Sequence, residues 1–89
     1  MAQIVFTQNI QRHIECPAER IDATTVRDAL EQVFAKNPRV KSYVLDDQGA
    51  LRPHVAIFVD GEMIRDRQKL SDPVTAEAEI YVMQALSGG

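Results

Sequence analysis

Reactive side chains are few in this sequence, and their spacing builds no familiar catalytic constellation. Cys16 is the only cysteine. It has no base beside it in sequence and shares the apolar parity of its stretch, so it reads as a packed thiol rather than a nucleophile. His13 and His54 are too far apart for a metal motif and read as ordinary strand or surface histidines. Asp46-Asp47 and the pair Asp60 and Glu62 offer carboxylates to a cation, yet neither follows the spacing of a calcium loop, and turn chemistry accounts for the aspartates. No phosphate-binding glycine loop, nucleophile elbow or zinc-protease pattern occurs, and no metal site is expected. What remains is Ser87-Gly88-Gly89. Glycine lacks Cβ, so such a tail threads extended into a channel too narrow for side chains and carries its carboxylate to another protein's reactive centre. Gly89 is the candidate reactive residue, with Gly88 and Ser87 as the threading segment.

A tail of this kind works only if something rigid presents it. Residues 80–86 form a mostly apolar run that reads as a buried strand leading straight into the glycines. Ile80 and Val82 share one parity of that strand, Tyr81 and Met83 the other. If a helix covers the first pair, Tyr81 and Met83 are left on an open face with Phe58 on a neighbouring strand, and together with Leu86 they become the candidate partner-binding residues. The alternative, that Tyr81 and Met83 are themselves core, stays open.

Upstream, Ile4, Val5 and Phe6 read as a first strand, and residues 10–16 as a half-buried edge strand ended by Pro17, which cannot donate to a ladder. Val26, Ala29, Leu30, Val33 and Phe34 recur at helical spacing behind Thr25 and Asp28, which resemble a capping box. This predicts the main helix over about residues 25–36, ending before Pro38, with Arg27, Glu31 and Gln32 on a solvated outer face. Residues 39–53 read as an ordered connection containing a short strand or a single helical turn, with a turn at Asp46-Asp47-Gln48-Gly49. Residues 54–59 form a second apolar run suited to an interior strand. Asp60-Gly61 is a hairpin signal, residues 62–65 return as a short strand, and residues 66–78 read as loop before the last strand from about Glu79.

Eighty-nine residues suffice for one core without disulfides or metal, so a single domain over residues 1–89 with a flexible tail at 87–89 is expected. One helix cannot cover both faces of a sheet, so it must lie across one face of a mixed sheet of four to five strands, with the first strand and the two longest apolar strands in the middle. A net charge of -3 without any Lys/Arg cluster argues against nucleic acid. A lone cysteine suits a reducing compartment, and no apolar run approaches the roughly 18 residues that span a bilayer. With no signal-peptide pattern at the N-terminus, a cytoplasmic protein without membrane contact is expected.

This order of elements ending in Gly-Gly resembles the ubiquitin-like β-grasp fold, an α+β architecture, and within it the MoaD/ThiS family of small sulfur carriers. The resemblance rests on Thr25-Val26-Arg27-Asp28-Ala29-Leu30, on Val55-Ala56-Ile57-Phe58-Val59-Asp60-Gly61-Glu62, and on Ala85-Leu86-Ser87-Gly88-Gly89. It implies a parallel pairing of the first and last strands at the sheet centre. It also implies a carrier acting as co-substrate rather than an enzyme, possessing no bound cofactor. A MoeB/ThiF-like activating enzyme would use ATP to adenylate Gly89, and sulfur would then replace AMP to leave a thiocarboxylate for a sulfur-accepting synthase. The chain departs from the family in having no glycine shortly before the last strand and Met83-Gln84 where a proline is common. Its connection from Asn37 to Pro53 is longer than in thiamine-type carriers and is similar to that of molybdopterin-type or cysteine-biosynthesis carriers, the former serving as the small subunit of a molybdopterin synthase-like complex. A ubiquitin-like modifier, or a β-grasp binding module without sulfur chemistry, is the competing reading.

Overall fold

The computed structural model describes residues 1–7 and 18–84. The chain runs β1 (Ala2–Phe6), β2 (Glu19–Ile21), α1 (Val26–Lys36), α2 (Pro38–Val44), β3 (Val55–Val59), β4 (Glu62–Met63) and β5 (Glu79–Gln84). The five apolar residues that predict the main helix are the buried residues of α1. Its first turn is closed by Thr25, whose Oγ1 accepts from the Asp28 N–H at 3.1 Å, and the Asp28 carboxylate sits favourably at the positive end of the helix. Pro38 ends α1 and opens α2, because a ring with fixed φ and no N–H is excluded from a helix interior yet pre-set for a first turn.

The five strands form one sheet in the order β2-β1-β5-β3-β4. β1 and β5 pair in parallel, and the other neighbours are antiparallel. The three apolar strands therefore occupy the middle, as their composition requires. Ile4, Phe6, Val55, Ile57, Ile80 and Val82 share the covered face, and all are buried in one cluster with Val26, Leu30 and Val33 of α1.

Three local expectations are revised, and one lies beyond test. The expected edge strand over residues 10–16 lies outside the described residues, and the strand beside β1 is Glu19–Ile21, registered Ala2↔Ile21 and Ile4↔Glu19. Three residues past a proline are too few to show an alternation. The connection after Asn37 opens with the seven-residue helix α2 rather than a single turn, burying Val40 and Val44. β4 is two residues long instead of four, because the Asp72 carboxylate draws the Arg65 and Asp66 N–H groups to itself at 3.0 and 2.8 Å, away from the ladder. Arg27, on the outer face of α1, is half-buried and tied down rather than free in solvent. Its Nε donates to the Lys69 carbonyl at 2.7 Å and its Nη2 to the Gly49 carbonyl at 2.9 Å, tying α1 to two loops. Gln32 on the same face donates to the Asp22 carbonyl at 2.7 Å. A helix face stays solvated only where no loop crosses it, and the crossing is not written in the helix's own sequence.

The irregular segment before β5 is anchored by buried Leu70, Val74 and Ala78 and organised by Asp66. The Ser71 hydroxyl donates to Asp66, followed in importance by the Lys69 N–H, with the Gln68 and Ser71 N–H groups adding to the same effect. These donors favour the charged form and hold the carboxyl at about 2, against an ordinary 3.8. A folded-state pKa below the unfolded value stabilises the fold above pH ~4 and loses that contribution as pH falls toward 2. Asp66→Asn should therefore lower the melting temperature at pH 7. The gap to wild type should close progressively in melts taken from pH 4 down to pH 2, and a pH-independent gap would refute the assignment.

Candidate functional site: the end of the central strand and its open face

Side chains alternate across a strand, so covering Ile80 and Val82 with α1 sends Tyr81 and Met83 to the other face. No element of the described residues packs over that face, and the register lines up four apolar residues across it. Val5 of β1 is the partner of Tyr81 of β5, which faces Phe58 of β3, which faces Met63 of β4. Tyr81 is 37% and Met63 53% exposed, with Val5 and Phe58 half-buried. One row nearer the end of β5, half-buried Met83 faces Ala56. At the opposite end of the same face the register brings together Arg20, Gln3 and Glu79. The open face is thus apolar toward residue 84 and polar toward residue 79.

Three of the predicted partner-binding residues, Phe58, Tyr81 and Met83, are brought together on this face. Leu86, Ser87, Gly88 and Gly89 lie outside the described residues, as do His13 and Cys16. Val5 and Met63 are additional members that the sequence reading did not name. Met63 was accessible by counting: a two-residue turn at Asp60-Gly61 sets Val59 opposite Glu62 and Phe58 opposite Met63. Val5 was not, because Ile4-Val5-Phe6 is apolar throughout and shows no parity.

Asp60, Asp46 and His54 make local structural contacts. Asp60 and Gly61 adopt φ of 52° and 86°, the left-handed pair that a tight hairpin needs, and the Asp60 carboxylate accepts from the Glu79 N–H at 2.9 Å. Asp46 caps its own turn, Oδ1 accepting from the Gln48 and Ala50 N–H groups at 2.8 and 3.0 Å. Exposed His54 stands edge-on to Tyr43, ring centroids 5.5 Å apart at 86°. Among the described residues no group of three His, Cys, Asp or Glu is placed to hold a metal ion. Among them, too, no helix is long and apolar enough to cross a membrane.

β5 is described as far as Gln84, which is registered against Val55 of β3. From α2, the Tyr43 hydroxyl donates to Gln84 Oε1 at 3.0 Å. Gln84 thus lies in the central strand of the sheet, beside the apolar half of the open face.

Comparison with known proteins bears on the whole chain. The sequence model of the ThiS family matches residues 6–89. None of the curated proteins matches the chain in sequence. Among solved structures, the chain is similar to small archaeal modifier protein 1 (SAMP1) from Haloferax volcanii, with TM-score 0.80 and 24% identity, covering 99% of this chain and 98% of that one. It is similar to a chain of the Amycolatopsis orientalis BexX/CysO complex with TM-score 0.82 and 16% identity over 100% of both chains. Mycobacterium tuberculosis CysO matches with TM-score 0.81 and 15% identity, covering 97% of this chain and 100% of that one. At such identities the likeness establishes the fold, a ubiquitin-like β-grasp.

Proposed function

Because this chain belongs to the ThiS family, we propose that it is a sulfur carrier whose sulfur rides on the carboxylate of Gly89 as the terminal residue. The observation that supports this most is the placement of the strand before the diglycine. β5 is the central strand of the sheet, paired with β1 and β3 on either side, so it delivers the tail from a rigid base. The apolar half of the open face lies next to the same end and supplies a surface on which an activating partner can seat while it takes the tail.

The chemistry has a simple physical order. A carboxylate is a poor electrophile, so an oxygen of the Gly89 carboxylate attacks the α-phosphorus of ATP held by a MoeB/ThiF-like partner, forming an acyl adenylate and releasing pyrophosphate. A sulfur nucleophile at the sulfide level then attacks the acyl carbon, AMP leaves with the bonding electrons, and a thiocarboxylate remains. This form stores nucleophilic sulfur without free sulfide. The chain acts as co-substrate, and a synthase accepts the sulfur. The long connection between Asn37 and Pro53, carrying α2, favours an acceptor of the molybdopterin or cysteine type over the thiamine type.

Incubation with a cognate activating enzyme, ATP and a sulfide-level donor should raise the intact mass by the difference between one sulfur and one oxygen atom. An unchanged mass with every cognate enzyme tried would refute the sulfur-carrier reading. The likeness to small archaeal modifier protein 1 favours a second reading, conjugation of Gly89 to lysines of other proteins. Isopeptide adducts through Gly89 in cells, with no thiocarboxylate form, would select it.

A further inference from the structure

Methionine is distributed unevenly in this protein. The sequence has three, Met1, Met63 and Met83, and among the described residues the buried cluster contains none, being built from Ala, Val, Ile, Leu and Phe. Met1 is exposed at the polar end of the sheet, beside Gln3, Arg20 and Glu79. Met83 is half-buried opposite Ala56. Met63 combines two features that the others do not, since it is 53% exposed and stands in the apolar row, opposite Phe58. It lies on the edge strand β4 and lines a groove of about 450 Å³ together with Asp60, Glu62, Arg65, Asp72 and Pro73. Its side chain is thus open to small solutes from the rim of the sheet.

A thioether on such a face has two states. It packs as an adaptable apolar group, and oxidation to the sulfoxide makes it polar. We propose that Met63 is a reversible oxidation site: a two-electron peroxide oxidant converts it to the sulfoxide, the apolar half of the open face becomes polar, and a partner loses its seat there while the fold is kept. In this step the thioether sulfur attacks one oxygen of hydrogen peroxide, the O–O bond breaks and an S–O bond forms. After proton transfer the other oxygen leaves as water, so that sulfur gives up the two electrons the peroxide takes. A thiol-dependent methionine sulfoxide reductase returns the thioether, oxygen leaving as water while two thiols close to a disulfide. Because the cluster holds no methionine, the same oxidant leaves the core side chains apolar. The loss of a partner rests on the carrier reading, whereas the oxidation and the change of the face belong to the isolated chain.

The test treats the whole chain with dilute hydrogen peroxide and follows each methionine by peptide mass mapping. Met63 should gain one oxygen several-fold faster than Met83, as its greater exposure requires, with no change in melting temperature. The Met63 sulfoxide form should be retained more weakly on a phenyl column than the untreated chain. Both changes should reverse with the two epimer-specific sulfoxide reductases and dithiothreitol. Dithiothreitol alone should not reverse them, which separates the effect from reversible oxidation of Cys16.

With a cognate MoeB/ThiF-like enzyme, the sulfoxide should raise KM for this chain in ATP-dependent adenylation by roughly tenfold to a hundredfold, the size expected for an acceptor buried without a donor, with kcat unchanged. Met63→Gln should raise KM without any oxidant. In Met63→Leu, whatever its starting KM, peroxide should no longer change it, although Met1 and Met83 still oxidise. Oxidation of Met83 as fast as Met63, a melting temperature that falls with the sulfoxide, or an unchanged KM for the Met63 sulfoxide would each overturn the proposal and leave the carrier reading intact. If the untreated chain is never adenylated the carrier reading fails instead, and the oxidation rates, melting temperature and column retention then decide the site by themselves.

Discussion

Adding one residue after Gly89 should abolish ATP-dependent activation and leave the melting temperature where it was. The extra residue displaces the carboxylate by roughly 3.3–3.6 Å along an extended chain. In-line attack on a phosphorus tolerates far less, and a misplacement of even about 1 Å costs on the order of 100-fold. Replacing Gly88 with leucine should have a comparable effect for a different reason, since a branched side chain must then enter a channel sized for glycine backbone. Neither change touches the residues of the buried cluster, all of which lie between Ala2 and Val82. Stability should therefore stay within about 0.5 kcal/mol, as for surface substitutions generally. Paired measurement of melting temperature and adenylation rate checks both halves. Activation persisting at the wild-type rate in the extended chain would remove Gly89 from the mechanism.

The second large effect lies in β5, where neighbouring residues should behave oppositely. Ile80 is fully buried under α1, with Ile4 and Val59 as its register partners on either side. Ile80→Ala should cost about 2–5 kcal/mol, the transfer term plus the cavity that a close-packed interior cannot collapse. In a domain of this size each kcal/mol lowers the melting temperature by roughly 4–8 °C. Tyr81, one residue on, faces the open side between Val5 and Phe58. Tyr81→Ala removes cross-strand contacts worth about 0.2–1 kcal/mol and should barely move the melt. Its larger effect belongs to partner binding. Equal destabilisation by the two substitutions would mean that both faces of β5 are core, which would contradict the open-face assignment.

Arg27 and Tyr43 show a limit on what can be read without tertiary structure. Arg27 lies off the apolar stripe of its helix, and Tyr43 lies at helical spacing from buried Val40, with no sign in either helix of the partner it reaches. Each then reaches a partner far along the chain: Arg27 the Lys69 and Gly49 carbonyls, Tyr43 the Gln84 side chain. Such a contact depends on where a loop crosses or a strand ends, and local propensity carries no information about either. The short strand Glu19–Ile21 escaped notice for a related reason, since three residues cannot display a period of two.

The sequence by itself determined the elements whose side chains repeat with a period long enough to count. These are α1 from its stripe of Val26, Ala29, Leu30, Val33 and Phe34, the hairpin from Asp60-Gly61, and β5 from its apolar run with the two parities of Ile80 and Tyr81. It also offers Gly89 as a candidate reactive group, because a glycine pair without side chains is suited to threading. Which parity of β5 faces water was decided only in the tertiary structure. That choice depends on the face α1 covers, and α1 buries Ile80 and Val82 and leaves Val5, Tyr81, Phe58 and Met63 aligned on the other side. Periodicity says that a strand has two faces. Only the helix that covers one of them says which is the core and which is left for a partner.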